Sequence, residues 1–138
     1  MKSSSRIRLF WLLVTGLLVF CMPLKAQDAA PQGSIYIPME PPFVVNYGGV
    51  GRLKYLKTEI SLRVADVHTA SAVRHHMPLL RNALVMLFSR QEEDTINTQQ
   101  GVEQLRQLAR EELNALLASE GAPTGIVELY FNNLIIQQ

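Results

Sequence analysis

Between Leu53 and Val64 the chain alternates: Leu56, Thr58, Ile60, Leu62 and Val64 fall on one side of an extended backbone, and Lys57, Glu59, Ser61 and Arg63 on the other. Successive strand residues point to opposite faces, so this segment reads as a strand with one buried face, which other elements must cover. Amphipathic segments follow it directly. Asp66 or Thr69 can cap a helix over Ala70 to His76, and Pro78, whose missing amide is harmless in a first helical turn, starts a second piece, LLRNALVMLFSR. A kink is expected near Met77, because the residue before a proline is biased away from helix. From Val102, the residues Leu105, Ala109, Leu113, Leu116 and Leu117 recur at helical spacing, with Arg106, Arg110, Glu111 and Glu112 mostly opposite, Thr98 as the cap and Gly121 as the stop.

The flanks read as extended chain. In IYIPMEPPFVVNY, Pro38, Pro41 and Pro42 exclude helix and a central strand position, which predicts an edge or cap that becomes strand at Phe43 to Tyr47. Gly48, Gly49 and Gly51 supply the turn into the alternating strand. Gln91 to Asn97, with Glu92, Glu93 and Asp94, reads as a solvated connection, because three neighbouring carboxylates repel one another. The closing GIVELYFNNLIIQQ is β-branched and aromatic, a last strand bulged at Asn132 and Asn133. The order strand, strand, helices, strand specifies an α+β domain with helices on one face of a small, mainly antiparallel sheet.

Ahead of this domain, Lys2, Arg6 and Arg8 precede sixteen mostly apolar residues from Leu9 to Leu24, the pattern of an export signal. Residues 1–26 are read as a cleavable signal, cut after Ala26 or Ala29; a short single-pass inner-membrane anchor is the other reading, and Pro23 leaves its apolar run marginal. Residues 27–34 form a linker, and 35–138 the exported domain, on the periplasmic side if the cell has two membranes. From Gln27 onward nine basic residues face twelve acidic ones, a net charge of −3. Without a basic stripe the domain is a poor ligand for a phosphate backbone, so nucleic acid is not an expected partner.

Reactive chemistry is sparse. Cys21 lies in the apolar segment, leaving the domain no thiol, and Phe20 before it argues against lipoprotein processing. His68, His75 and His76 lack metal-ligand spacing, since adjacent helical residues point about 100° apart. The glycines are not followed by a phosphate-loop lysine, and no serine sits in a glycine elbow. Neither a catalytic residue, a cofactor nor a metal is expected. The helix over Leu79, Leu80, Leu84, Val85, Met86, Leu87 and Phe88 is more apolar than one buried face needs, a hint of a subunit contact as well as a core.

The segments PPFVVN (Pro41 to Asn46), RLKYLKTEISLRV (Arg52 to Val64), HMPLLRNALVMLFS (His76 to Ser89), GVEQLRQLAREELN (Gly101 to Asn114) and VELYFNNLIIQ (Val127 to Gln137) together resemble the FliL family of flagellar basal-body proteins, in order and over almost the whole exported domain. The resemblance implies a non-catalytic periplasmic domain of the stomatin and prohibitin type. It would form a ring-like homo-oligomer, or join an anchored relative, at the inner membrane surface, and act with stator and basal-body proteins in torque or rotational control during swimming, swarming and chemotaxis. Among the matched residues Pro41 and Pro42 belong to the motif. Phe43, Tyr55, Leu56, Leu84 and Phe131 read as packing, Pro78 as a helix start and Asn46 as a turn former, and Arg81 and Asn82 are candidate partner contacts. The apolar segment and linker are shorter than is usual in that family, which suits a secreted paralogue. The competing readings are a stomatin-like membrane scaffold unconnected with motility and an exported ligand-binding protein.

Overall fold

A computed structural model describes residues 33–48, 51 and 54–137; the export segment, all but the end of the linker, Gly49 and Leu53 lie outside the described residues. The alternating segment is β3, Lys54–Val64, and its burial follows the sequence pattern: Leu56, Thr58, Ile60, Leu62 and Val64 are buried, and Tyr55, Lys57 and Glu59 are exposed. Every other strand pairs with it, antiparallel. β1 (Ile35–Pro38) runs along its second half with Ile35 opposite Val64, and β2 (Phe43–Tyr47) along its first half with Phe43 opposite Thr58. β4 (Ile126–Gln137) covers the whole of the other edge.

β1 and β2 therefore form one interrupted edge strand. Between Pro38, which pairs with Ser61, and Phe43, which pairs with Thr58, the four residues Met39–Pro42 face only Glu59 and Ile60, so the chain bulges there, with a cis peptide at Glu40–Pro41. The Met39 amide still donates to the Ile60 carbonyl at 2.9 Å, which keeps the two halves on one path. β1 lies at the edge, as the prolines suggest, but it is already paired strand from Ile35, ahead of the Phe43 start read from the sequence. In β4 the register against β3 slips between Glu59 and Ile60, leaving Asn132 as the extra residue at the place where the asparagine pair predicted a bulge, and slips again at Val127.

Four helices lie between β3 and β4: α1 (Val67–His75), α2 (Met77–Ser89), α3 (Glu93–Ile96) and α4 (Gln99–Ser119). Asp66 is the cap of α1, accepting from the Thr69 amide at 2.8 Å, a bond that holds its carboxyl below the usual carboxylate pKa. Thr69, the alternative cap, is instead buried inside the first turn. Pro78 opens α2, and His76 ends one helix and begins the next, which places the expected break beside Met77. Thr98 caps α4 through the Gly101 amide at 3.0 Å, and Gly121, at φ +67°, ends it.

The core lies between the helices and one face of the sheet. Leu56, Ile60, Leu62, Phe43 and Leu129 from the strands meet Leu80, Leu84, Phe88, Leu105, Leu113 and Leu117 from α2 and α4, all almost fully buried. Phe43 and Phe88 pack edge to face, with ring centroids 5.9 Å apart. The connection at Gln91 to Asn97 corrects the sequence reading of a solvated loop. Its centre is the short helix α3, whose Ile96 is 1% exposed and whose Glu93 pairs with Lys54 of β3; Glu92 and Asp94 stay in solvent. One apolar residue was enough to draw the segment onto the core.

Gly101 permits the tight approach of α3 to α4, since a Cβ there would stand 1.7 Å from the Thr95 carbonyl oxygen, a backbone atom that cannot swing aside. Gly101→Ala is expected to destabilise the full chain by about 1–3 kcal/mol in denaturant unfolding, the usual cost of overpacking. Gly33→Ala, where nothing lies within 4 Å, should leave the midpoint unchanged.

Candidate functional site

Because the helices occupy one face of the sheet, the residues of opposite parity face outward with no described element over them. Along β3 the outward row is Tyr55, Lys57, Glu59, Ser61 and Arg63. The strand register sets its flanks: Val44 and Ile135 on either side of Lys57, Asn46 and Gln137 beside Tyr55, Tyr36 beside Arg63, and Tyr130 beside Ser61. Val44 is 64% exposed and Tyr36 56%, with Tyr55, Tyr130 and Ile135 also open. Three of the four tyrosines of the chain thus lie on one solvent face. Tyrosine and arginine with aliphatic neighbours are the composition that protein contacts favour, because they bury much area and keep polar ends for hydrogen bonds.

The face is organised by its own bonds. The Tyr36 and Tyr130 rings stand 6.1 Å apart across the width of the sheet, the Arg63 Nε donates to the Tyr130 hydroxyl at 3.2 Å, and Asn132 Nδ2 donates to Ser61 Oγ at 2.7 Å. Two hollows open on it. One of about 400 Å³ lies among Val44, Tyr55, Lys57, Ile135 and Gln137. The other, of about 690 Å³, runs along the proline bulge, where Pro38, Pro41 and Pro42 face Glu59 and Asn132. Both are open grooves of mixed lining, aliphatic carbon beside Glu59 and Asn132 in the larger and aliphatic and aromatic carbon beside Lys57 and Gln137 in the smaller. Among the described residues, no group of three or more His, Cys, Asp or Glu side chains could hold a metal ion.

The predicted site residues divide between this face and the core. Phe43, Leu56 and Leu84 are buried, and Phe131 is half-buried, 6.0 Å from Phe88 by ring centroids. Tyr55, expected to pack inside, instead projects into solvent, because it shares the parity of Lys57 and not of Leu56. Asn46, expected in a turn, is an exposed residue within β2 paired with Tyr55; the turn begins at Gly48, whose φ of +90° suits glycine. Pro41 and Pro42 form the bulge. His75 and His76, expected to point apart, have rings 4.8 Å apart, because the chain leaves the helical path at His76.

Arg81 and Asn82 part company. Arg81 Nη1 donates to the Met39 carbonyl at 2.8 Å, and its guanidinium lies 4.1 Å from the centre of the Phe43 ring, so it clamps the proline bulge to α2. Partial burial draws its pKa down from the ordinary arginine value. Asn82 faces solvent and shares an exposed ridge of α2 with Val85 and Met86, which is 52% exposed. The outward tyrosines Tyr36 and Tyr130 escaped the sequence reading. Their signal was that β4, an edge strand, carries apolar residues at both parities, where a wet outer row would be polar.

The edge of β4 is closed at one end by α4. Asn114 Nδ2 donates to the Ile126 carbonyl at 2.9 Å while its Oδ1 accepts from the Ile126 amide at 3.1 Å, and Arg106 joins Glu103 of its own helix to Glu128 of the strand. Hydrogen bonds from Arg106, and then Gln107, hold the Glu103 carboxyl at about 2, well below its ordinary 4.5. Tyr47 carries a buried hydroxyl with no partner among the described residues.

Replacing Arg81 with Met, which keeps the stem and removes the donor, is expected to cost about 1–2 kcal/mol in denaturant unfolding, while Asn82→Ala should change it by less than about 0.5 kcal/mol. The depressed Glu103 pKa has a pH signature. A carboxylate held below its unfolded value contributes above that value and loses its contribution as pH falls from about 4.5 through about 2. Carbon-detected NMR titration should find the Glu103 midpoint near 2, moving back toward 4.5 in Arg106→Ala.

Known proteins resemble this chain over the same region. The profile of the family described as Flagellar basal body-associated protein FliL matches residues 36–137. A protein named Flagellar protein FliL from Aquifex aeolicus (strain VF5) is 31% identical over 109 residues, 79% of this chain and 65% of that relative. Proteins of the same name from Escherichia coli (strain K12) and Shigella flexneri are each 26% identical over 113 residues, 82% of this chain and 71% of theirs. The match therefore spans slightly under two thirds of the Aquifex relative's length.

Proposed function

We infer that this chain, which belongs to the FliL family of flagellar basal body-associated proteins, is a non-catalytic accessory of the flagellar motor. Its exported domain stands on the periplasmic face of the inner membrane at the flagellar base and engages stator and basal-body proteins, supporting torque or rotational control. The observation that carries this reading is the family match from residue 36 to residue 137, which takes in every strand and helix described except the first residue of β1. The surfaces agree with it: the outward features are open grooves of mixed polar and apolar lining and an exposed helix ridge, forms suited to docking another protein.

The ridge of Asn82, Val85 and Met86 on α2 is the surface assigned here to the motor proteins, and Arg81 supports it from behind by fixing the bulge. A domain of stomatin and prohibitin type, repeated around the stator in a ring, is the assembly this role calls for. Residues 1–26 deliver the domain across the membrane, as a cleaved signal or a short anchor. Among the described residues no helix is long and apolar enough to cross a membrane.

The test is made in the cell. Deleting the gene is expected to reduce swimming and swarming, and a fluorescent fusion of the full chain should gather at flagellar bases. Met86→Glu should impair motility while the fusion remains abundant. Normal swimming and swarming after deletion, with fluorescence spread evenly around the envelope, would overturn the reading.

A further inference from the structure

The outward row of β3 carries charges in the order positive at Lys57, negative at Glu59 and positive at Arg63, with the small Ser61 between the last two. None of the three makes an ion pair among the described residues. A uniformly acidic partner would set a like charge against Glu59, and a uniformly basic one would do so at Lys57 and Arg63. The row calls for a surface of alternating sign, and the molecule already possesses one.

We propose that two copies of this chain pair through the open faces of their sheets, antiparallel, about a two-fold axis at Ser61. Turning one copy about an axis across the strands at Ser61 brings its Glu59 over Arg63 of the second copy and its Arg63 over Glu59, so each face satisfies the other twice. Turning it about an axis along the strands would set Lys57, Glu59 and Arg63 over their own counterparts, a repulsive arrangement. The charge order therefore selects one of the two ways in which a pair of sheets can face each other. Ser61 on the axis permits close approach, and Tyr130, its neighbour in the sheet, meets its counterpart beside the axis.

The face is three strands wide and about nine residues long, roughly 14 by 30 Å, so the pair buries on the order of 1,000 Å² in total. That is the lower end of specific interfaces, and the pair is accordingly reversible, forming at micromolar concentration. This pairing goes beyond the motor role and does not require it. A two-fold contact closes on itself, so a ring must use a second, head-to-tail surface, and the α2 ridge stays free for other proteins.

Sedimentation velocity on the purified full chain, in detergent over a micromolar range, tests the proposal. The wild type should pass reversibly from monomer to dimer. Glu59→Arg and Arg63→Glu should each weaken the dimer by about tenfold or more through like-charge contact, and the double exchange should return it to within a few fold of wild type. The double exchange guards against a folding artefact, because loss of fold at either site would not be repaired by the second substitution. A monomer at every concentration, single variants without effect, or a double variant that stays monomeric would each overturn the proposal. Motility is not read in this experiment, so its outcome is separate from that of the motor reading.

Discussion

Among the described strands β3 alone has partners on both edges, and the sheet and helices are arranged around its two-residue period. Its inner row anchors the core, its backbone carries β1, β2 and β4, and its outer row becomes the exposed surface. A slip of β3 itself by one residue against all its partners would send Leu56, Ile60 and Leu62 into water and Lys57, Glu59 and Arg63 into the core. The register is thus held by burial along the strand, and the bulges at Met39–Pro42, Asn132 and Val127 absorb the mismatch in the partners and leave β3 regular.

The α+β class, the long strand, the Thr98 cap of α4, the Asp66 cap of α1 as one of two candidates and the bulge in β4 were legible in the sequence, because each rests on local chemistry: period, side-chain acceptors near orphan amides, and residues poor at pairing. What was not legible depended on contacts distant in the chain. Ile96 sits in a run of acids and amides, and only the packing of α3 against α4 reveals it as core. Arg81 looked like a surface residue of a helix, but its partners, Met39 and Phe43, lie some forty residues earlier. Tyr55 reads as packing through the family resemblance, although its own place in the alternation, opposite in parity to Leu56, puts it on the outer face.

The proline bulge links these observations. It interrupts the β1–β2 edge, gives Arg81 a carbonyl to hold, and opens the larger groove on the outer face. Prolines on an edge strand remove donors that a foreign strand would seek, so the segment that looks least regular protects the sheet on that side.

Asn114 does the equivalent service on the opposite side. Its amide presents to Ile126 the donor and acceptor pair that another backbone would offer, so a helix occupies the berth where an added strand would begin. With one margin broken by proline and one end of the other filled by this side chain, lateral addition of strands is hindered at those two places. The flat outer face can then take up contacts while the margins of the sheet resist the strand-by-strand growth that seeds fibres.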